Sequence, residues 1–263
     1  PNNSINPKKS SYRNTATLNL YEMGSTFKIF TMAAALELSD VKLTTNFDAR
    51  APLKISKFTI KDYHPENRIL TAKEIFLKSS NIGSSLIAKQ VGTKNLKNFY
   101  TQIGILDFSK INLKEKSKPI LPEKWGEVEI ATLSFGHGIS ITPMSMIEAA
   151  SIIFKKNKPN GLTIKKEKKV ETSLNHLISD ITRAKLISLM EDNVLHGTGK
   201  RDAVKGYRVG GKTATGEKTN NQGLYDKDKL VSSFLSIFPI NNPRYIALVL
   251  YLSLIHISEP TRP

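Results

Sequence analysis

A helix that is apolar on most of its sides must be surrounded by other structure, and "STFKIFTMAAALELSD" (25–40) encodes such a helix. Phe27, Ile29, Phe30, Met32 and Leu36 ring its axis, while Ala33, Ala34 and Ala35 let neighbours approach closely. The chain is therefore expected to build around this segment. Its 263 residues suffice for that, as one large domain or two small ones.

The covering elements can be read in order. Residues 1–20, rich in Pro, Asn and Ser, read as loop. "APLKISKFTIKDYHP" (51–65) alternates enough for a short strand or an extended loop. "TAKEIFLKSSN" opens with a capping box, Thr71 with Glu74, and a second helix is expected from about Ile82 to Val91, stopped by Gly92. Thr142 as N-cap with Pro143 at the first helical position starts another helix. "DITRAKLISLMEDNVL" (180–195) predicts an amphipathic helix capped by Asp180, with Gly197 just beyond its end. The C-terminal third predicts strands at roughly 206–216, 230–238 and 244–251, the last two joined at "INNP" as a hairpin with an exposed apolar edge on its outer strand. With no repeat and no linker, the expected architecture is one α+β domain: helices first, then an antiparallel sheet with helices packed around it.

Composition narrows the function mainly by exclusion. The chain has no cysteine, so disulfides, thiolate metal sites and a cysteine nucleophile are ruled out. His64, His137, His176 and His196 are scattered without a carboxylate at ligand spacing, so neither metal nor cofactor is expected. His137 in "SFGHG" reads as a structural loop residue, and Trp125 as packing near a groove. The net charge of +16 invites a nucleic-acid reading. Its main blocks, "KKNK" (155–158) and "KKEKK" (165–169), lack interleaved aromatics, and no nucleic-acid-binding motif accompanies them. A solvated face, aided by attraction to an anionic membrane surface, accounts for them. The longest apolar run, "YIALVLYLSLIHI" (245–257), is too short to span a bilayer. Residues 252–263 resemble a translated sequencing adapter and are set aside as non-native.

Three short patterns carry the chemistry: Ser25-Thr26-Phe27-Lys28, then Ser79-Ser80-Asn81, then Lys212-Thr213-Ala214. Each is weak alone, since Ser39 and Lys42 repeat the spacing of the first and "SLN" (173–175) imitates the second. Context separates them: a buried helix start, a helix-to-helix junction and a strand led by two glycines. On a helix, positions i and i+3 are about 5–6 Å apart at Cβ, so Lys28 can reach the Ser25 hydroxyl. An ordinary lysine, with a pKa near about 10.4, cannot accept a proton at neutral pH. Burial among aromatic side chains, close to a second cation such as Lys212, would favour its neutral form. Ser25 at a helix N-terminus would also meet free N–H groups suited to developing negative charge. "GTGK" (197–200) follows a helix rather than a strand, so its likeness to a phosphate loop is superficial.

These patterns resemble the S-x-x-K, S-x-N and K-[ST]-G motifs of penicillin-binding proteins and serine β-lactamases. "LYEMGSTFKIFT", "DYHPENRILTAKEIFLKSSNIG", "ATLSFGHGISITPM" and "HGTGKRDAVKGYRVGGKTATGEK" narrow the resemblance to the class B penicillin-binding proteins of the division-specific D,D-transpeptidase (FtsI) type. The resemblance implies that residues 1–251 form a transpeptidase domain. It implies an acyl-enzyme at Ser25, with Lys28 as base, Ser79 as proton shuttle to the leaving amine and Asn81 orienting Lys28 and the substrate amide. Lys212 and Thr213 would bind the substrate carboxylate, and the backbone N–H groups of Ser25 and Thr215 would form the oxyanion hole. Implied partners are peptidoglycan stem peptides, β-lactams, and a membrane glycosyltransferase and division proteins engaged through regions outside this chain. The implied location is the bacterial inner membrane, facing the periplasm. A β-lactamase, a β-lactam sensor or a non-catalytic division scaffold remain alternatives. Measured against the family, the chain is expected to be truncated at both ends and to lack the sheet's N-terminal strands, the membrane anchor and the N-terminal non-catalytic domain. Ala214 stands where the motif has glycine, and its methyl is expected to narrow the groove.

Overall fold

The computed structural model describes residues 13–155, 162–164, 177–219 and 225–252, with side chains omitted over 216–230. Residues 1–12 of the expected N-terminal loop, most of the two lysine blocks, the "SLN" at 173–175, His176 and the tail from 253 lie outside these residues.

At the centre is α2 (Lys28–Leu38), entered through a 3-10 turn at Gly24–Phe27. Every residue from Thr26 to Ala35 is buried, as a helix apolar on most sides requires. Its coat consists of α4 (Asn81–Val91), α5 (Thr93–Gln102) and α8 (Asp180–His196). Phe27 meets Phe30 and Tyr100 edge-on, with centroids 5.3 and 5.4 Å apart. The buried Thr31 donates to Ser134 O (2.8 Å) and bonds the Tyr100 hydroxyl (3.0 Å), so the core leaves it satisfied.

Two of the three predicted caps form. Thr71 Oγ1 accepts from Glu74 N and the Glu74 carboxylate accepts from Thr71 N, starting α3 (Ala72–Lys78). Thr142 caps α7 (Pro143–Phe154), with Pro143 in its first turn. At α8 the cap is Ser179, not Asp180: the Ser179 hydroxyl accepts from Thr182 N (3.1 Å), while Asp180 takes the first helical position and pairs with Arg183. A carboxylate there still complements the helix dipole. Segment 51–65 makes a small hairpin, β2 (Leu53–Ile55) with β3 (Phe58–Ile60). A second two-stranded ladder, β1 (Asn46–Asp48) with β4 (Ile69–Thr71), leads into α3. Among the described residues the remaining α-helices are α1 (Thr15–Leu18), a single turn within the 1–20 stretch expected to be loop, and α6 (Glu127–Leu133).

The main sheet is antiparallel, in the order β5 (Gly210–Thr219), β6 (Tyr225–Phe238), β7 (Tyr245–Leu252). β5 lies against α8 and the 3-10 turn, which brings it to the start of the central helix. Among the described residues β7 pairs only with β6, and Tyr245, Val249 and Tyr251 are exposed on it, in keeping with the expected apolar edge. No helix among the described residues is long and apolar enough to cross a membrane.

Candidate active site

Three elements converge at the head of α2. The 3-10 turn presents Ser25, and Lys28 begins the α-helix one turn on. The α3–α4 junction supplies Ser79 and Asn81. It is only two residues long, so Ser79 takes the left-handed conformation (φ 58°) that reverses the chain. Strand β5 supplies Lys212, Thr213 and Thr215.

Lys28 Nζ lies 2.7 Å from Ser25 Oγ, 2.7 Å from Asn81 Oδ1, 3.0 Å from Ser79 O and 3.3 Å from Ser79 Oγ. Lys212 Nζ donates to Ser79 Oγ (3.0 Å), Thr213 O (3.2 Å) and Thr198 Oγ1 (3.3 Å). The Ser79 hydroxyl thus bridges the two lysine nitrogens. Both lysines are buried, at 2% and 0% exposure. Burial pushes Lys28 well below an ordinary lysine, and the Lys212 charge adds to the shift, while Asp62 opposes it. Burial alone brings Lys212 down to about 7. His137 is held down at about 4 by burial and by the Lys28 charge, so its imidazole is neutral near pH 7.

Strand alternation sends Lys212 and Ala214 to one side of β5, and Thr213 and Thr215 to the other. Ala214 is 6% exposed, and a Cβ placed on Gly24 would come within 3.3 Å of the Ala214 Cβ. The expectation that this methyl narrows the groove is therefore corrected: it packs behind the Ser25 turn, against the one residue there without a side chain. Thr215 is exposed, and its carbonyl also borders Gly24.

Several residues unmarked in the sequence complete the site. The Asp62 carboxylate accepts from Ser80 Oγ (2.7 Å), Asn81 N (2.6 Å) and Ile82 N (2.9 Å), holding the N-terminus of α4. Thr198, inside the "GTGK" read as a superficial likeness, accepts from Thr213 Oγ1 (2.8 Å) as well as from Lys212. Gly136 backs onto the Ser25 turn: at φ 81°, a Cβ there would lie 2.3 Å from Gly24 O. Only this last residue carried a local signal, the glycine pair of "SFGHG". Ser39, which repeats the first motif's spacing, instead donates to Ala35 O at the far end of α2. Trp125 is partly buried against the core, with Lys97 Nζ 4.8 Å above its ring.

The arrangement can do acyl transfer. A neutral Lys28 has two N–H bonds and one lone pair. Asn81 Oδ1 and Ser79 O can only accept, so they take the two hydrogens, and the lone pair is left for the Ser25 hydroxyl proton.

Known proteins resemble the chain along nearly its whole length. The family model described as the penicillin binding protein transpeptidase domain matches residues 1–253. The chain is 37% identical to the probable peptidoglycan D,D-transpeptidase FtsI of Caulobacter vibrioides over 90% of its own length and 42% of that protein. To the peptidoglycan D,D-transpeptidase FtsI of Escherichia coli K12 it is 28% identical, over 95% of this chain and 42% of the relative. The chain thus spans less than half the length of these two curated relatives. Among solved structures, the transpeptidase domain of penicillin-binding protein 3 from Burkholderia pseudomallei superposes with a TM-score of 0.81 at 30% identity, covering 90% of this chain and 73% of that one.

Proposed function

Because the chain belongs to the penicillin binding protein transpeptidase family, we propose that it is a serine acyltransferase that cross-links peptidoglycan stem peptides through an acyl-enzyme on Ser25. The observation that carries this reading is the 2.7 Å approach of Lys28 Nζ to Ser25 Oγ, with Asn81 Oδ1 and Ser79 O placed to accept the two hydrogens of the neutral amine.

Ser25 Oγ attacks the carbonyl carbon of the penultimate D-Ala and its proton passes to Lys28. The carbonyl oxygen becomes an oxyanion held by the backbone N–H groups of Ser25 and Thr215, each such donor being worth roughly 10²–10³ in rate. The C–N bond then breaks, and Ser79, bridging the two lysines, relays a proton to the departing amine of the terminal D-Ala. Asn81 orients Lys28 and the substrate amide. Lys212 and Thr213 take the terminal carboxylate, which a cation beside a hydroxyl suits. An amine of a neighbouring stem peptide attacks the ester, returns its proton to the site and frees Ser25 with the cross-link made. In this reading a β-lactam acylates the same serine. The catalytic domain is residues 1–251, with 252–263 foreign to it. The proposed setting is septal wall synthesis on the periplasmic face of the inner membrane, beside a glycosyltransferase and division proteins.

A fluorescent penicillin tests the assignment. The expected result is a long-lived adduct mapped to Ser25 and lost in Ser25→Ala. Rapid turnover of the adduct would instead make the protein a β-lactamase, and folded wild-type protein that never labels would end the enzyme reading.

A further inference from the structure

The loop after α8 is built around one buried amide. Asn193, in the last turn of α8, is fully buried, although nothing in the local sequence pattern asks for an asparagine there. Its side chain uses both ends: Nδ2 donates to Gly211 O (2.8 Å), and Oδ1 accepts from Thr198 Oγ1 (3.3 Å). Its main-chain oxygen accepts from Gly197 N (3.0 Å) and Gly199 N (3.1 Å). The two glycines flank the amide because nothing larger fits. A Cβ on Gly197 would lie 2.4 Å from Asn193 Oδ1, and one on Gly199 would lie 3.0 Å from Nδ2.

The turn so folded joins both halves of the site. Thr198 N donates to Leu77 O (3.1 Å), in the last turn of α3, just before Ser79. The Thr198 hydroxyl meets Lys212 and Thr213 on β5. The Gly211 carbonyl taken by Asn193 belongs to the peptide that leads into Lys212. The direction of the protons is also set. Asn193 Oδ1 can only accept, so Thr198 spends its single hydrogen there and must receive, through its lone pairs, from both Lys212 and Thr213.

From this network we infer that Asn193 is a positioning residue for the anion-binding end of the site. Acting through Thr198, it holds the Lys212 ammonium between Thr198 and Ser79 and aligns the Thr213 hydroxyl. The inference rests on the proposed acylation of Ser25 and on the carboxylate role of Lys212 and Thr213. It adds that this role depends on a side chain that never touches substrate.

The test compares acylation of the whole chain by benzylpenicillin and by its methyl ester, which lacks the carboxylate. Two variants separate positioning from folding. Asn193→Asp keeps the acceptor for Thr198 but loses the donor to Gly211 O. Thr198→Val cuts the link while leaving Asn193 in place, and it decides the matter if the Asp variant does not fold. Each is expected to lower the acid-to-ester rate ratio roughly 3- to 10-fold, the scale of one hydrogen bond. Thr198→Ser should return the ratio to near that of wild type, and the double variant should be no worse than the worse single one, since both act through one path. An unchanged ratio in Thr198→Val, equal losses for acid and ester, or multiplying effects in the double variant would overturn the inference while leaving Ser25 acylation standing. Wild-type protein that fails to react with benzylpenicillin would overturn both.

Discussion

Replacing Asp62 by alanine should destabilise the protein by about 2–4 kcal/mol and slow acylation of Ser25 beyond what that loss explains. The carboxylate receives three donors, the Ser80 hydroxyl and the Asn81 and Ile82 N–H groups, at 2.6–2.9 Å. Two of these are first-turn N–H groups of α4, which have no partner within their own helix. Hydrogen bonds to a charged group contribute about 1.5–3 kcal/mol each and a cap about 0.5–2 kcal/mol, but three donors sharing one half-buried carboxylate do not add, which sets the range given. The kinetic effect follows from what α4 carries. Asn81 is its first residue and Ser79 sits two before it, and both touch Lys28 Nζ. A displacement of about 1 Å in such a constellation can cost on the order of 10²-fold in rate. Charge supplies a second signature. Asp62 raises the Lys28 pKa, opposing burial and Lys212. Asp62→Asn, close to isosteric, should therefore favour neutral Lys28 further and move the acid limb of the acylation profile to lower pH. Lys212 and His137, the other titratable groups exerting charge on or feeling it from Lys28, are unaltered in that variant. Urea unfolding and the pH dependence of penicillin labelling measure both effects. Refutation would be an alanine variant within about 0.5 kcal/mol of wild type that labels normally, or an acid limb that moves upward in the Asn variant.

Two further outcomes are expected. Ala214→Gly should lower stability by about 1–2 kcal/mol, through the lost buried methyl and the added freedom of a strand glycine, yet leave acylation within about threefold. A large loss of labelling in folded protein would mean that the methyl does more than pack behind Gly24. Stability should also rise between pH 7 and 9. Lys28 and Lys212 both titrate lower in the folded chain than in the unfolded one; for Lys212 the unfolded chain binds more protons across the interval from about 7 up to the ordinary value of 10.5, and Lys28 acts in the same direction. Their favourable contribution is complete above that interval and is lost as pH falls through the folded values. Lys212→Met should remove its share of the rise, measured as unfolding free energy at the two pH values, and a wild-type stability that falls over this window would contradict the burial argument.

Helix α2 was legible from the sequence because the coat around it is written in its own composition: no polar stripe runs from Phe27 to Leu36 to leave facing water. The caps at Thr71 and Thr142 and the three strands of the sheet were legible for a similar reason, since each is specified by neighbours within a few positions. The Ser25–Lys28 approach also belongs here, because one helical turn sets it. The cap at α8 misled by a single residue, for Ser179 and Asp180 can both cap a helix and only the backbone path chooses between them.

What the tertiary structure decided lies between elements. Asp62 reaches Asn81 across 19 positions, Asn193 reaches Gly211 across 18, and Lys212 reaches Ser79 across 133. Periodicity and capping rules report what a residue does within its own turn and are blind to such contacts. The direction of the Ala214 methyl was likewise settled by the sheet's placement against the Ser25 turn, since alternation along a strand fixes which residues share a face but not what that face meets. The sequence therefore singled out the candidate residues and the segments that carry them. Their basicity and aim came only with the fold, because desolvation, charge proximity and shared hydrogens exist only once separate segments are packed together.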